Sequence, residues 1–388
     1  MLTTQPRPVL RFSLWASVAL AVAACGPAAE KAPPVAAVNT CFSKLLQRFK
    51  QTSSWDTLLP PPLLYRASGY DPARRVQYEI WLASQPLGLR PQVVQLRDPA
   101  GRGQGYPVSY SVIYQQCLVA LFEGGNFACF RLADFTRDQQ LESQLNARKC
   151  QRHWLINHQL IGLSQGQYYA FNQAAKTWQP YQQPVPFGTA PKLFEDARYL
   201  VYSDCQGEFG GNVYFFNKQT QQTRHANATC ATSVWQENRQ YHVLASILMG
   251  FVGHAAIADP EMLPLTATPV NDQVDWQHRA ALPERGVVPV FRYEGLELFG
   301  GLRWQGQTVY LTYWRETTFL ATIAGKRLTI IDPLFSNQLF THEPVTVSYG
   351  PNLALTNLDF WGLGGKNEVA ALLWQGQQIT KIEWGEQP

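Results

Sequence analysis

Charge is scarce in this chain and nowhere concentrated. Only 15% of its 388 residues are Asp, Glu, Lys or Arg, and no long run of like charges occurs. Nucleic acid is held electrostatically by clustered Lys and Arg, so no nucleic-acid partner is expected. The chain has no His-Glu-x-x-His, no Gly-Lys-Thr/Ser phosphate loop and no calcium-loop Asp spacing, so no metal or other cofactor is expected. Cys-x-x-Cys is missing, which argues against a redox or zinc-ribbon site. No apolar run reaches the length needed to span a bilayer as a helix, and helical periodicity is short wherever it occurs. Aromatic residues, by contrast, reach 13%, with 12 Trp and 17 Tyr, which describes a folded chain rather than a polyelectrolyte.

The first residues give an address. Arg7 and Arg11 form a basic segment without acids, and an apolar run from Phe12 to Ala24 follows. The run suits the core of an export signal. It ends in Val22-Ala23-Ala24-Cys25, which resembles the bacterial lipobox. The resemblance implies removal of residues 1–24 and lipidation of Cys25. Losing Arg7 and Arg11 lowers the formal net charge from +4 to about +2. Gly26 is not the aspartate that retains such proteins in the inner membrane, so an outer-membrane lipoprotein is expected, facing the periplasm or the cell surface. Residues 25–38 are rich in Ala and Pro and read as a tether. Residues 39–388 then form a single domain, whose start offers a short helix capped by Asn39 or Thr40 with Phe42, Leu45, Leu46 and Phe49 on one face.

Six cysteines remain after Cys25, an even number that favours disulfides in an exported protein. Strands expected at 199–204, 212–217 and 222–226 reverse the chain twice, bringing Cys205 and Cys230 to one end of a meander. Cys117 and Cys129 flank the turn at Glu123-Gly124-Gly125, so they too are expected to pair. Cys41 and Cys150 are left as a third pair by elimination.

Strand signals dominate from residue 63 onward, with one internal helix expected over 138–149. Gly125, Gly166 and Gly211 each precede an aromatic strand, and Gly253 opens a weaker copy, at separations of 41, 45 and 42 residues. Gly325 and Gly365 lie 40 apart. Such periods, each carrying several short strands, are those of β-propeller blades. Two units can be read strand by strand, over 296–332 and 345–384. Both contain Trp-Gln-Gly-Gln, at Trp304 and Trp374, read as a shared hairpin solution rather than a binding motif. The expected fold is an all-β propeller of six or seven four-stranded antiparallel blades, with packed β-sandwiches as the alternative. The segment 264–289 lacks strand character and reads as an insertion.

Gly166-Gln-Tyr-Tyr-Ala-Phe-Asn172 with Trp178, and Gly211-Asn-Val-Tyr-Phe-Phe-Asn217 with Thr220, resemble the repeats of quinoprotein-type β-propellers. That resemblance implies the propeller and assigns no activity.

Gly162-Leu-Ser164-Gln-Gly166 matches the Gly-x-Ser-x-Gly nucleophile elbow, but a strand follows it where the motif needs a helix, so Ser164 is expected in a hairpin turn. Within the insertion, Asp272, Asp275, Trp276 and His278 are the best candidates for a recognition loop. His158, His242 and His254 lie in apolar stretches and are expected to be structural. With no catalytic set in view, the chain is expected to be a lipid-anchored envelope protein that binds a protein or glycan without catalysis. The alternative is a propeller enzyme acting on glycans or small esters at a central channel, where residues distant in sequence converge.

Overall fold

Short aromatic and β-branched segments separated by two-residue turns become antiparallel hairpins, as the pattern requires. The computed structural model describes residues 63–65, 78–83, 87–98, 105–247, 251–266, 285–294, 296–314, 317–335, 343–358 and 370–385. All lie in the second of the chain's two compact units, 37–388. Cys25, the tether, Cys41, the expected helix near residue 45, and Asp272, Asp275, Trp276 and His278 lie outside the described residues.

The fold is all-β. Strand pairing among the described residues gives five sheets in a propeller-like arrangement. Four of them, with six, four, four and nine strands, make blades, and the fifth has three strands. The expectation of six or seven separate blades is corrected, for two physical reasons. First, the meanders over 231–294 and 345–384 are fused into one nine-stranded sheet by a parallel bridge between Ser233 and Thr346. Second, the strand signal near residue 80 makes no blade of its own. Tyr78–Leu82 adds in parallel to Arg327–Phe335, and Arg90–Leu96 adds in parallel to Gln378–Trp384. These two strands thus each cover the outer edge of a meander.

The core lies between consecutive meanders. Trp304 and Trp374 meet between the 297–335 and 345–384 meanders, with ring centroids 5.5 Å apart. Trp384 packs on Phe122 and Phe130 of the 112–131 sheet, which brings the last strand against the first meander. Trp154, Phe187 and Tyr202 fill the next contact but one, between the 152–180 and 192–227 sheets.

The repeated Trp-Gln-Gly-Gln closes two different turns. Trp304 pairs with Gln307, so Gln305 and Gly306 form the turn; in the second copy Gln375 pairs with Gln378, so Gly376 and Gln377 do. Other turns use no glycine. Asn238 and Arg239 both hold positive φ, at 50° and 64°, between the paired Glu237 and Gln240. A non-glycine residue there carries a steric cost of about 1–2 kcal/mol, partly offset by its stiffer unfolded chain. Arg239→Gly is therefore expected to stabilise the fold by about 0.5–1 kcal/mol, read as a higher midpoint in urea at unchanged slope. His158 sits in such a turn as well, at φ 60°, and not within a strand as expected.

The internal helix α1 spans Gln139–Leu145, capped by Asp138, whose carboxylate accepts the Leu141 N–H at 3.0 Å. It stops short of residue 149 because Asn146 turns its amide to the Phe127 backbone, accepting from N–H at 2.7 Å and donating to C=O at 2.9 Å. The 264–289 stretch is shorter as an insertion than expected. The Thr266 N–H donates to Thr223 O and the His225 N–H to Pro264 O, along the outer edge of the 192–227 sheet. The chain is again in a strand from Val287, with Pro289 opposite Ala255 on an outermost strand where its missing N–H costs little.

Cys205 and Cys230 form the expected disulfide, with Cα atoms 4.4 Å apart. Cys117, Cys129 and Cys150 are free and buried, which corrects the pairing of Cys117 with Cys129. The strands do neighbour one another, but Cys117 faces Arg131 while Cys129 faces Val119. The two thiols are diagonal neighbours, about 7–8 Å apart at the backbone, where a disulfide needs Cα atoms nearer about 5.5 Å. Cys150 stands in the same core cluster as a free thiol, and its expected partner Cys41 lies outside the described residues.

Candidate functional site

A cavity of about 820 Å³ opens where the starts of several meanders converge. Its wall is discontinuous in sequence, drawn from 106–110, 152–154, 187–191, 203–205, 230–232 and 343–345. These stretches begin or precede the first strand of their meanders, or end the second, so the repeat itself brings them together.

The wall is held by specific bonds. The Trp154 indole N–H donates to Ala190 O at 3.1 Å, and the Tyr110 hydroxyl to Glu343 O at 3.2 Å. Arg152 donates to the carbonyl oxygens of Val108 and Gln151. Asp204 accepts the Asn212 N–H at 2.5 Å and the Tyr214 hydroxyl at 3.0 Å, fixing the loop that follows it. The Cys205–Cys230 disulfide ties this loop to the start of the next meander, and both half-cystines line the cavity.

Ser109 and His153 make the most unusual contact. The Ser109 Oγ lies 2.6 Å from His153 Nδ1, and His153 Nε2 lies 3.2 Å from Val119 O. A carbonyl only accepts, so Nε2 carries the proton, Nδ1 is the bare acceptor and Ser109 is the donor. His153 is 1% exposed. Burial pushes its pKa down to about 4, the Val119 carbonyl opposes this, and the neighbouring Arg152 charge lowers it further. The imidazole is therefore neutral at pH 7 and held in one tautomer.

A second histidine group lies at the contact between the 231–294 and 297–335 meanders. His242 Nδ1 is 2.9 Å from His254 Nε2, and His254 Nδ1 is 3.1 Å from the Tyr310 hydroxyl, with the Trp235 ring against both imidazoles. Burial holds the His254 pKa down at about 3, and the adjacent His242 adds to the effect. Both histidines hydrogen-bond within the packing, as expected of structural residues.

Among the residues singled out from sequence, Cys205 and Cys230 reach the cavity, while Cys117, Cys129 and Cys150 pack into the core. Ser164 ends the strand Gln159–Ser164 and the next strand starts at Gln167, so the Gly-x-Ser-x-Gly context is a hairpin. Gly162 has a packing reason: a Cβ there would stand 2.6 Å from Cys150 Sγ and 3.2 Å from the Trp178 ring. Ser109 and His153 were not legible individually. Their separation of 44 residues is, however, close to one repeat period, which places them in adjacent units.

No protein family and no curated protein sequence matches this chain. Solved structures with some likeness include the N-terminal domain of Nup159, at 10% identity and TM-score 0.36 over 80% of this chain and 87% of that one. BamB from Moraxella catarrhalis is similar at 10% identity and TM-score 0.27, covering 70% of this chain and 72% of that one. U3-55K gives 8% identity and TM-score 0.35, covering 70% and 81%.

Proposed function

We propose that this protein is a lipid-anchored binding protein of the outer membrane, which receives a protein segment or glycan of the cell envelope in its cavity. The observation that carries the reading is the cavity itself: about 820 Å³, with a wall drawn from several meanders and cross-tied by a disulfide. A wall of that kind is pre-formed, so little ordering cost accompanies binding. Tyr106, Tyr110 and Trp154 offer apolar faces beside the polar Ser109, Arg152 and Asp204, a mixture suited to sugar rings or an extended peptide.

Thr189 lines the cavity and is exposed, so Thr189→Trp fills the mouth without disturbing the core. Mild crosslinking in the native envelope, followed by affinity capture, is expected to retain a stoichiometric protein or envelope glycan. Thr189→Trp should lower its retention at least about tenfold. Equal retention by both would overturn the cavity as the binding site. Cys25→Ala is expected to move the protein from the membrane to the soluble fraction while leaving binding by the purified domain unchanged.

A further inference from the structure

We propose that Ser109 is an acyl-accepting nucleophile, so that the cavity also cleaves, slowly, activated carboxylic esters that enter it. This goes beyond binding and shares with that reading only the requirement that a ligand reaches the cavity.

The geometry has three parts. Ser109 lines the cavity, and its hydroxyl donates to His153 Nδ1 at 2.6 Å, a contact within the nucleophile–base range. The second imidazole nitrogen is fixed by the Val119 carbonyl at 3.2 Å, which does the orienting that a carboxylate does in many serine hydrolases. The Arg152 guanidinium is bonded to the carbonyl of Val108, next to the nucleophile, where a positive charge favours a developing oxyanion. Neither Ser109 nor His153 is needed for this contact by helix or sheet pairing, and both are buried polar groups on the wall of the cavity.

In the first step Ser109 Oγ bonds to the ester carbonyl carbon and its proton passes to His153 Nδ1. The bond from carbon to the leaving oxygen breaks, and the alcohol departs with that proton. Water then attacks the acyl-serine, gives its proton to Nδ1, and the serine oxygen leaves and is reprotonated from Nδ1. The acid is released and no redox partner is required. Since burial makes His153 a weak base, turnover is slow, and the rate should plateau above about pH 5 rather than rise through pH 7.

The test uses the purified domain with an alkyl fluorophosphonate, followed by intact mass and peptide mapping, and p-nitrophenyl acetate hydrolysis alongside. One phosphonyl group per chain on Ser109, with fluoride released, is expected. Ser109→Ala should abolish the adduct and slow ester hydrolysis at least about tenfold, part of the factor of about 10²–10⁴ that a positioned base supplies. Thr189→Trp leaves the pair intact and should slow labelling at Ser109 by a similar factor, which separates blocked access from misfolding. A folded wild type without an adduct at Ser109, or Ser109→Ala hydrolysing at the wild-type rate, overturns the proposal. Capture is read on the wild type and the nucleophile on its adduct, so a captured partner without an adduct at Ser109 fails the nucleophile alone, and an adduct without a captured partner fails the binding reading alone.

Discussion

Trp374→Ala is expected to cost about 3–5 kcal/mol of folding stability. Its side chain is fully buried, at 0% exposure, and packs on Trp304 where two meanders meet. Truncation removes a large apolar area and leaves a cavity that close-packed strands on both sides cannot collapse to fill. It also removes the indole N–H that donates to Thr356 Oγ1 at 3.3 Å. Against a total of about 5–15 kcal/mol for a domain, a loss of that size brings the protein near its threshold. Urea denaturation of the purified domain measures it; a change below about 1 kcal/mol would mean that this contact does not hold the blades together. Trp304 makes the control. Its indole nitrogen is buried without a partner among the described residues, so Trp304→Phe should be milder than Trp374→Phe.

Acid is expected to destabilise the protein between about pH 6.5 and 4, where two buried histidines take up protons only in the unfolded chain. In the unfolded chain His153 takes up a proton as pH falls through about 6.5, whereas in the folded protein it does so only near 4. Between those values the unfolded state binds more protons, so stability is full above pH 6.5 and is lost as pH falls towards 4. For a fully buried imidazole the shift corresponds to about 3 kcal/mol. His254, held near 3 by burial, acts in the same direction. Asp332 opposes them. Burial raises its carboxyl to about 6 against the backbone N–H groups of Leu87, Gly88 and Leu89, so its contribution is full below pH 3.8 and is lost as pH rises through 6. Urea midpoints measured from pH 7.5 to 4.5 should fall in wild type, with a shallower fall in His153→Gln. A flat profile in wild type would contradict the burial of a neutral imidazole.

Much of the local structure was legible because hairpins advertise themselves. The strands over 307–314 and 212–217 stand where alternation and turn residues place them, and Asp138 caps the helix over Gln139–Leu145. The Cys205–Cys230 pairing followed from counting chain reversals, since two reversals bring the finishing ends of the first and third strands to the same side. Cys117 and Cys129 failed on finer grounds. Reversal counting gives neighbouring strands but not register, and a shift of two residues separates opposed from diagonal positions. The blade count failed because edge addition leaves no local mark: a strand signal near residue 80 reads the same whether the strand joins its own sheet or another's.

Turn glycines and aromatic alternation act over a few residues, so an all-β chain of short meanders at a period of roughly 40–45 residues is written in the local pattern. How the meanders are shared among sheets, and the meeting of Ser109 with His153 at the wall of a cavity, came from the folded chain alone. The physical reason is range. Turn and strand preferences act between neighbours in the chain, whereas register across sheets and convergence at the cavity come from packing between residues far apart in sequence.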